Sequence, residues 1–219
     1  MKKNYQMIIF DVDGTLLDTT EGIVQAVQYA ILQKKLPNIN SNAIREFIGP
    51  PIQNSFHKFY GLEGKELQEI SEIFRNYYKE HSLLLAKPYE KIFDLLDQLK
   101  RHGKMIAVAT YKREDYARKL LKYFGFDSYS SLLYGADNEN KLKKADIINK
   151  CIEKTNIHDR ETVLMVGDSE HDASGAENAG IDFLGVTYGF GYKNKKEVLK
   201  NGYAIGACET VMELLDYIL

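Results

Sequence analysis

Beyond about Pro88 the chain repeats one phrase: an amphipathic run, a glycine, then a short apolar run. Ile92, Leu95, Leu96 and Leu99 recur at helical spacing and stop at Gly103, and Met105-Ile106-Ala107-Val108-Ala109 comes next. Tyr116, Leu120, Leu121 and Phe124 stop at Gly125, ahead of Leu132-Leu133-Tyr134. The segment from Glu170 to Ala179 stops at Gly180, ahead of Phe183-Leu184-Gly185-Val186. A glycine just past a helix takes the left-handed conformation without steric cost, so it is the expected stop. Short continuous apolar runs are the pattern of strands buried on both faces. Val163-Leu164-Met165-Val166 adds another such run. Ile147, Ile148, Cys151 and Ile152 add a helix, as do Val211, Leu214, Leu215 and Ile218. This alternation predicts βαβ units, hence an α/β fold: a Rossmann-like, three-layer core with a central parallel sheet.

One gap breaks the rhythm. Met7-Ile8-Ile9-Phe10 reads as the first strand, yet the next begins only at Met105. A βαβ crossover needs only about 30 residues. The intervening stretch reads as helix almost throughout. Asp18-Thr19-Thr20-Glu21 has capping-box spacing ahead of Ile23, Val27, Ala30 and Ile31, and Asp18 is expected to cap that helix. Beyond that helix the chain is punctuated by Pro37, Gly49-Pro50-Pro51 and Gly61. Leu67, Ile70, Phe74, Tyr77 and Tyr78 line one face of a longer helix and are expected to form its core. The chain thus divides into an α/β core, residues 1–16 and 87–219, and an all-helical insert, residues 17–86.

With 219 residues there is room for one ordinary domain and a smaller one. A net charge of −2 carries no footprint for nucleic acid. Met1-Lys2-Lys3 is basic, but the apolar run after it is too short for a signal peptide, and no stretch is long enough to span a bilayer. Cys151 and Cys208 form no CxxC pair and read as reduced, structural residues. The expected location is the cytoplasm.

The chemistry gathers at strand ends. Asp11-Val12-Asp13-Gly14-Thr15 directly succeeds the first apolar run. In open α/β sheets the ligand crevice lies at the carboxyl ends of the strands. Carboxylates two residues apart repel each other in a dry crevice unless a cation or proton intervenes. The pair therefore points to a hard metal such as Mg²⁺ and to work on a phosphate. Asp-Gly is also a common turn. The strand ending at Ala109 leads into Thr110-Tyr111-Lys112, and that ending at Val166 into Gly167-Asp168-Ser169-Glu170-His171-Asp172. Lys141, Lys143 and Lys144 cluster at a helix start between them. This set suits phosphoryl transfer: a nucleophile, a cation clamp and donors for the equatorial oxygens. Each also has a bland reading. Thr110 could cap the next helix. Asp172 could complement a helix macrodipole. At least one lysine must lie on a solvated face, and Glu170 and His171 read as loop residues.

These motifs resemble those of the haloacid dehalogenase superfamily of phosphatases, in particular the phosphoglycolate phosphatase-like branch with a helical cap. Asp11-Val12-Asp13-Gly14-Thr15 matches its DxDGT motif, Thr110 its second, Lys144 its third, and Gly167-Asp168 with Asp172 its GDxxxD motif. The resemblance implies that Asp11 is the nucleophile and Asp13 the general acid and base. It implies that Gly14, Thr110, the backbone N–H of Tyr111 and Lys144 bind phosphate. Asp11, Asp13 (through its backbone carbonyl), Asp168 and Asp172 would hold Mg²⁺, with Asp172 a direct ligand or a partner of one. Lys144 is preferred to Lys143 because it precedes Ala145-Asp146-Ile147-Ile148. Tyr111 departs from the small or amide residue usual in relatives, and its phenol is expected to narrow the site or meet the leaving group. The helical insert resembles the cap, and Arg45, Gly49, Pro50 and Gln53 would act on substrate choice. The implied activity is Mg²⁺-dependent hydrolysis of a small phosphorylated metabolite such as phosphoglycolate, a nucleoside monophosphate or pyrophosphate. A sugar phosphomutase and a phosphoryl-accepting receiver-like domain are the alternatives. The Tyr188-Gly189-Phe190-Gly191-Tyr192 stretch is given no chemistry.

Overall fold

The apolar runs form one parallel sheet. The computed structural model describes residues 3–137 and 141–219, so Met1 and Lys2 of the basic start lie outside the described residues. Six strands make the sheet: β1 (Met7–Phe10), β4 (Met105–Arg113), β5 (Leu133–Ala136), β6 (Val163–Gly167), β7 (Asp182–Val186) and β8 (Ala204–Cys208). Their order is β5-β4-β1-β6-β7-β8. The chain enters at the centre, builds one half as β4 and β5, then crosses back to build the other. Strand β1 therefore stands at the switch point where an open α/β sheet places its ligand crevice.

The chain forms two compact units, Met1–Leu17 with Pro88–Leu219, and Asp18–Lys87. The two-residue strands β2 (Leu17–Asp18) and β3 (Lys87–Pro88) lie where the chain passes from one unit to the other.

In the larger unit, helices α5 (Ile92–Arg101), α6 (Glu114–Tyr123), α7 (Lys144–Glu153), α8 (Glu170–Ala179), α9 (Lys195–Lys200) and α10 (Leu214–Ile218) accompany the sheet. Successive strand residues face opposite ways. Met7, Ile9, Ala107, Val163, Met165 and Phe183 thus share a core with Ile147, Ile148 and Cys151 of α7 and with Ala173 and Ala176 of α8. Fully burying an aliphatic side chain of this size contributes about 1.5–3 kcal/mol. Ile106 and Val108 face the other side and line one cavity with Leu96 of α5 and Leu121 of α6. Both cysteines are free and buried, as read from the sequence.

The smaller unit contains α1 (Thr20–Gln33), α2 (Ser41–Arg45), α3 (Ile52–Tyr60), α4 (Gly64–Tyr77) and a π-turn at Tyr78–Ser82. Its core includes Val27, Phe47, Phe56, Ile70, Phe74 and Tyr78, so these aromatics are packing residues. Phe56 meets Phe47 edge-on at 5.1 Å.

Some boundaries differ from expectation. The capping box at Asp18 does not form. Thr19 is the N-cap but makes no side-chain capping bond, and the Asp18 carboxylate accepts from the Thr20 N–H one residue further out. Strand β4 runs on through Thr110, Tyr111 and Lys112 to Arg113, because β5 continues to pair with it beyond the apolar run. Strand β8 and helix α9 escape the hydropathy pattern. Ala204-Ile205-Gly206-Ala207-Cys208 is an edge strand of mostly small residues, with no long apolar run to mark it.

Candidate active site

Register brings the strand ends level. Phe10 pairs with Val108 on one side and Val166 on the other. Asp11 is the first residue past β1, and its N–H donates to the Val166 carbonyl at 3.0 Å. Asp11, Asp13, Thr110, Lys144, Asp168 and Asp172 are all buried. The chain then turns sharply at Gly14, which has φ +84°. A Cβ there would stand 2.1 Å from Asp168 Oδ2, so a larger residue would drive the loop off the β6 carboxylate.

Lys144 is the first residue of α7, and its ammonium lies 2.7 Å from Asp11 Oδ1 and 2.6 Å from Asp172 Oδ1. Helix α8 comes this close because Gly175 lacks a side chain: a Cβ there would be 2.5 Å from Lys144 Cγ. Burial favours the neutral amine, but the two carboxylates outweigh it and hold Lys144 above the ordinary lysine range. Lys143, by contrast, is exposed. Asp172 uses its two oxygens differently. Its Oδ2 accepts from the Ser169 N–H at 3.1 Å and hydroxyl at 2.7 Å, as a helix-start carboxylate does, while Oδ1 meets Lys144.

Asp11, Asp168 and Asp172 offer carboxylate oxygens within 4.8 Å of one another. Of these three buried carboxylates, Asp11 and Asp172 meet the Lys144 ammonium, while Asp13 meets Lys112 at 3.0 Å. With all three ionised, they and Lys144 would leave two negative charges uncompensated in a buried site. Burial, then Asp172 and Asp11, push the Asp168 carboxyl up to about 8. Burial likewise pushes Asp11 up to about 6 against the pull of Lys144. Such a site fits a divalent cation, which would reverse both shifts. The Asp13 carboxylate is not in this group, so its contribution to a cation would come through its backbone carbonyl.

Three features were not read from the sequence. Phe190 and Gly191 N–H groups donate to Asp168 Oδ2 at 2.6 and 3.0 Å, so the glycine-rich stretch is the cradle of Asp168. A Cβ on Gly189 would lie 2.3 Å from the Gly14 carbonyl oxygen. Alternating glycines after a strand were the available signal, because they let backbone donors converge on an anion. Tyr111 is the second. Its hydroxyl accepts from the Lys144 backbone N–H at 3.0 Å, and its ring lies beneath the ammonium, 5.6 Å away. The phenol thus braces the start of α7. His171 sits in the first turn of α8, not in a loop, and meets the Tyr111 ring edge-on at 5.4 Å. The third is Lys112, half-buried as a residue, its side chain against Asp13.

Thr110 does not cap α6, whose N-cap is Arg113; its Oγ1 accepts from the Lys112 N–H at 3.1 Å. In the smaller unit Arg45 ends α2, Gly49 has φ +99°, Pro51 is the N-cap of α3, and Gln53 lies in its first turn. These residues share one helix–helix connection.

The family model for haloacid dehalogenase-like hydrolases matches residues 8–186. A 5'-nucleotidase of Pseudomonas aeruginosa is 31% identical over 192 residues, 87% of this chain and 86% of that protein. A pyrophosphatase of Halalkalibacterium halodurans is 30% identical over 182 residues, 83% of each. The crystal structure of a predicted phosphatase from Clostridium acetobutylicum superposes with a TM-score of 0.90 at 32% identity, covering 99% of both chains.

Proposed function

The chain belongs to the haloacid dehalogenase-like hydrolase family, and we propose that it is a Mg²⁺-dependent phosphatase acting on a small phosphate compound through an aspartyl phosphate. The observation that carries this reading is the buried Asp11–Lys144–Asp172 array beside Asp168, at the carboxyl ends of adjacent parallel strands. A cation held by Asp11, Asp168, Asp172 and the Asp13 carbonyl would neutralise charge on the phosphate oxygens.

The chain's own residues divide the remaining work. Lys144 holds the Asp11 carboxylate in one orientation and balances phosphate charge. An Asp11 oxygen forms a bond to phosphorus as the bond to the leaving oxygen breaks, and that oxygen keeps the electron pair. Asp13 gives it a proton. Water next attacks the phosphorus of the acyl phosphate, Asp13 takes the proton, and Asp11 is released as carboxylate with inorganic phosphate. The Thr110 hydroxyl serves a phosphate oxygen. Phosphate release across a panel of phosphorylated metabolites, with Mg²⁺ and with excess EDTA, tests the reading. Full activity in EDTA would overturn it, and isomerisation of a hexose 1-phosphate without phosphate release would point to a mutase.

The raised carboxyls give a signed pH prediction. Asp168 has a folded value of about 8 against an ordinary 3.8, so the metal-free fold favours its protonated form. Stability from this group is present at low pH and is lost as pH rises through that interval. Mg²⁺ should therefore raise Tm more at about pH 8 than at about pH 5.5, where protons compete for the same oxygens. At 100 times Kd the ligand contributes about 2.7 kcal/mol, or roughly 5–10 °C for a chain of this size. Thermal scans of EDTA-treated protein check it, and equal increments at the two pH values would contradict it.

The cap is assigned to the choice of leaving group. The core supplies a complete phosphate site, and the Gly49-Pro50-Pro51 connection is stiffened by its prolines. Single substitutions of Arg45, Pro50 and Gln53 should change kcat/KM on the best natural substrate by roughly tenfold more than on an aryl phosphate. Equal losses on both would return this connection to a structural role.

A further inference from the structure

The β4–β5 ladder slips just where β4 enters the site. Thr110 pairs with Gly135 and Arg113 with Ala136, so β4 carries Tyr111 and Lys112 as extra residues. Bulges of this kind re-aim side chains beside active sites. Gly135 makes the slip possible, since a Cβ there would be 2.5 Å from the Lys112 carbonyl oxygen. The result is a lysine whose side chain is 5% exposed, its ammonium 3.0 Å from Asp13 Oδ1, itself 7% exposed. Burying two charges is costly, and apolar replacements of such pairs are often neutral or stabilising. Stability alone therefore gives little reason for an ammonium here.

Its place gives a better one. The two aspartates of the first motif each face a different lysine: Asp11 faces Lys144, and Asp13 faces Lys112. The leaving oxygen must come within hydrogen-bond reach of Asp13, roughly 3 Å. The Lys112 ammonium then lies within roughly 6–8 Å of that oxygen, in a buried setting where salt screens little. We propose that Lys112 is the cation of the leaving-group side, and that it selects phosphate compounds whose leaving group carries an oxyanion a few bonds from the bridging oxygen. A carboxylate or a second phosphate would serve equally. This rests on the reading of Asp13 as the group that protonates the leaving oxygen.

A matched pair of substrates tests it. Phosphoglycolate and 2-hydroxyethyl phosphate share a skeleton and differ in a carboxylate against a hydroxymethyl group. The wild-type enzyme should prefer the anionic member in kcat/KM by roughly tenfold or more, as expected for one buried charge contact. Lys112→Met should bring that ratio to within about threefold of unity, and Lys112→Arg should keep most of it. Inorganic pyrophosphate should behave like phosphoglycolate. If Lys112→Met fails to fold, Lys112→Gln gives the same comparison. Equal losses on both members overturn the proposal, as does a wild-type enzyme that cleaves an aryl phosphate but shows no preference or acts on neither member. Failure of the underlying reading looks different: an Asp13→Asn protein would turn over every substrate, those with poor leaving groups included, at wild-type rates.

Discussion

Asp11→Asn is expected to lower phosphate release by roughly 10⁴–10⁶-fold, the range seen when a nucleophile is removed from a catalytic array. The amide has nearly the same shape but is a poor nucleophile. The fold should survive, because the side-chain oxygen still accepts from Lys144, and Asp172 remains 2.6 Å away to balance the ammonium. Removing one of three crowded carboxylates also relieves repulsion, since burial and its neighbours already push Asp11 up to about 6. The metal-free variant should therefore melt no lower than the wild type. Steady-state phosphate release and a thermal scan check both halves. Wild-type turnover would end the aspartyl-phosphate mechanism. A collapse of Tm would show that Asp11 is needed for folding, leaving its catalytic part to be read from a folded variant such as Asp11→Glu.

Much of the fold was legible because the signals were dense. Glycines at 103, 125 and 180 all lie at positive φ just past a helix, where only the backbone decides. The apolar runs were long enough to mark strands buried on both faces. Strand β8 was not, because an edge strand of small residues carries too little hydrophobic contrast. In the site, Asp11, Lys144, Asp168 and Asp172 could be named from the resemblance to the family's motifs, and the structure gathers them. The supporting parts were not readable. Hydrogen bonds from Phe190 and Gly191 to Asp168 join residues more than twenty positions apart, and no local pattern encodes that meeting. Lys112 was visible only as one more polar residue after a strand. Its burial depends on a bulge, and that bulge depends on Gly135 in a neighbouring strand. Tyr111 shows the same limit: no local pattern says that its hydroxyl accepts from the first N–H of a helix 33 positions on.

Lys144→Ala should cost far more than Lys143→Ala, and on two separate readouts. Loss of one preorganised cation facing developing charge typically costs about 10²–10³ in kcat. Lys144 also balances two buried carboxylates, at 2.7 and 2.6 Å, and breaking a buried ion pair from one side costs about 3–5 kcal/mol. That corresponds to a fall of roughly 6–20 °C in Tm for a chain of this size. Lys143 is exposed and contributes its backbone N–H, which donates to Asp146, so its truncation should stay within about 0.5 kcal/mol with turnover intact. A double variant separates charge balance from catalysis. Lys144→Ala with Asp172→Asn removes one uncompensated carboxylate together with the ammonium. It should recover much of the lost Tm in metal-free buffer and none of the lost turnover, because the Lys144 ammonium no longer faces Asp11 and the phosphate and a carboxylate of the cation site is gone as well. Recovery of both would mean that Lys144 acts only by holding the fold together. The reverse ranking of the single variants would move the third motif one residue earlier, to a lysine that this geometry leaves in solvent.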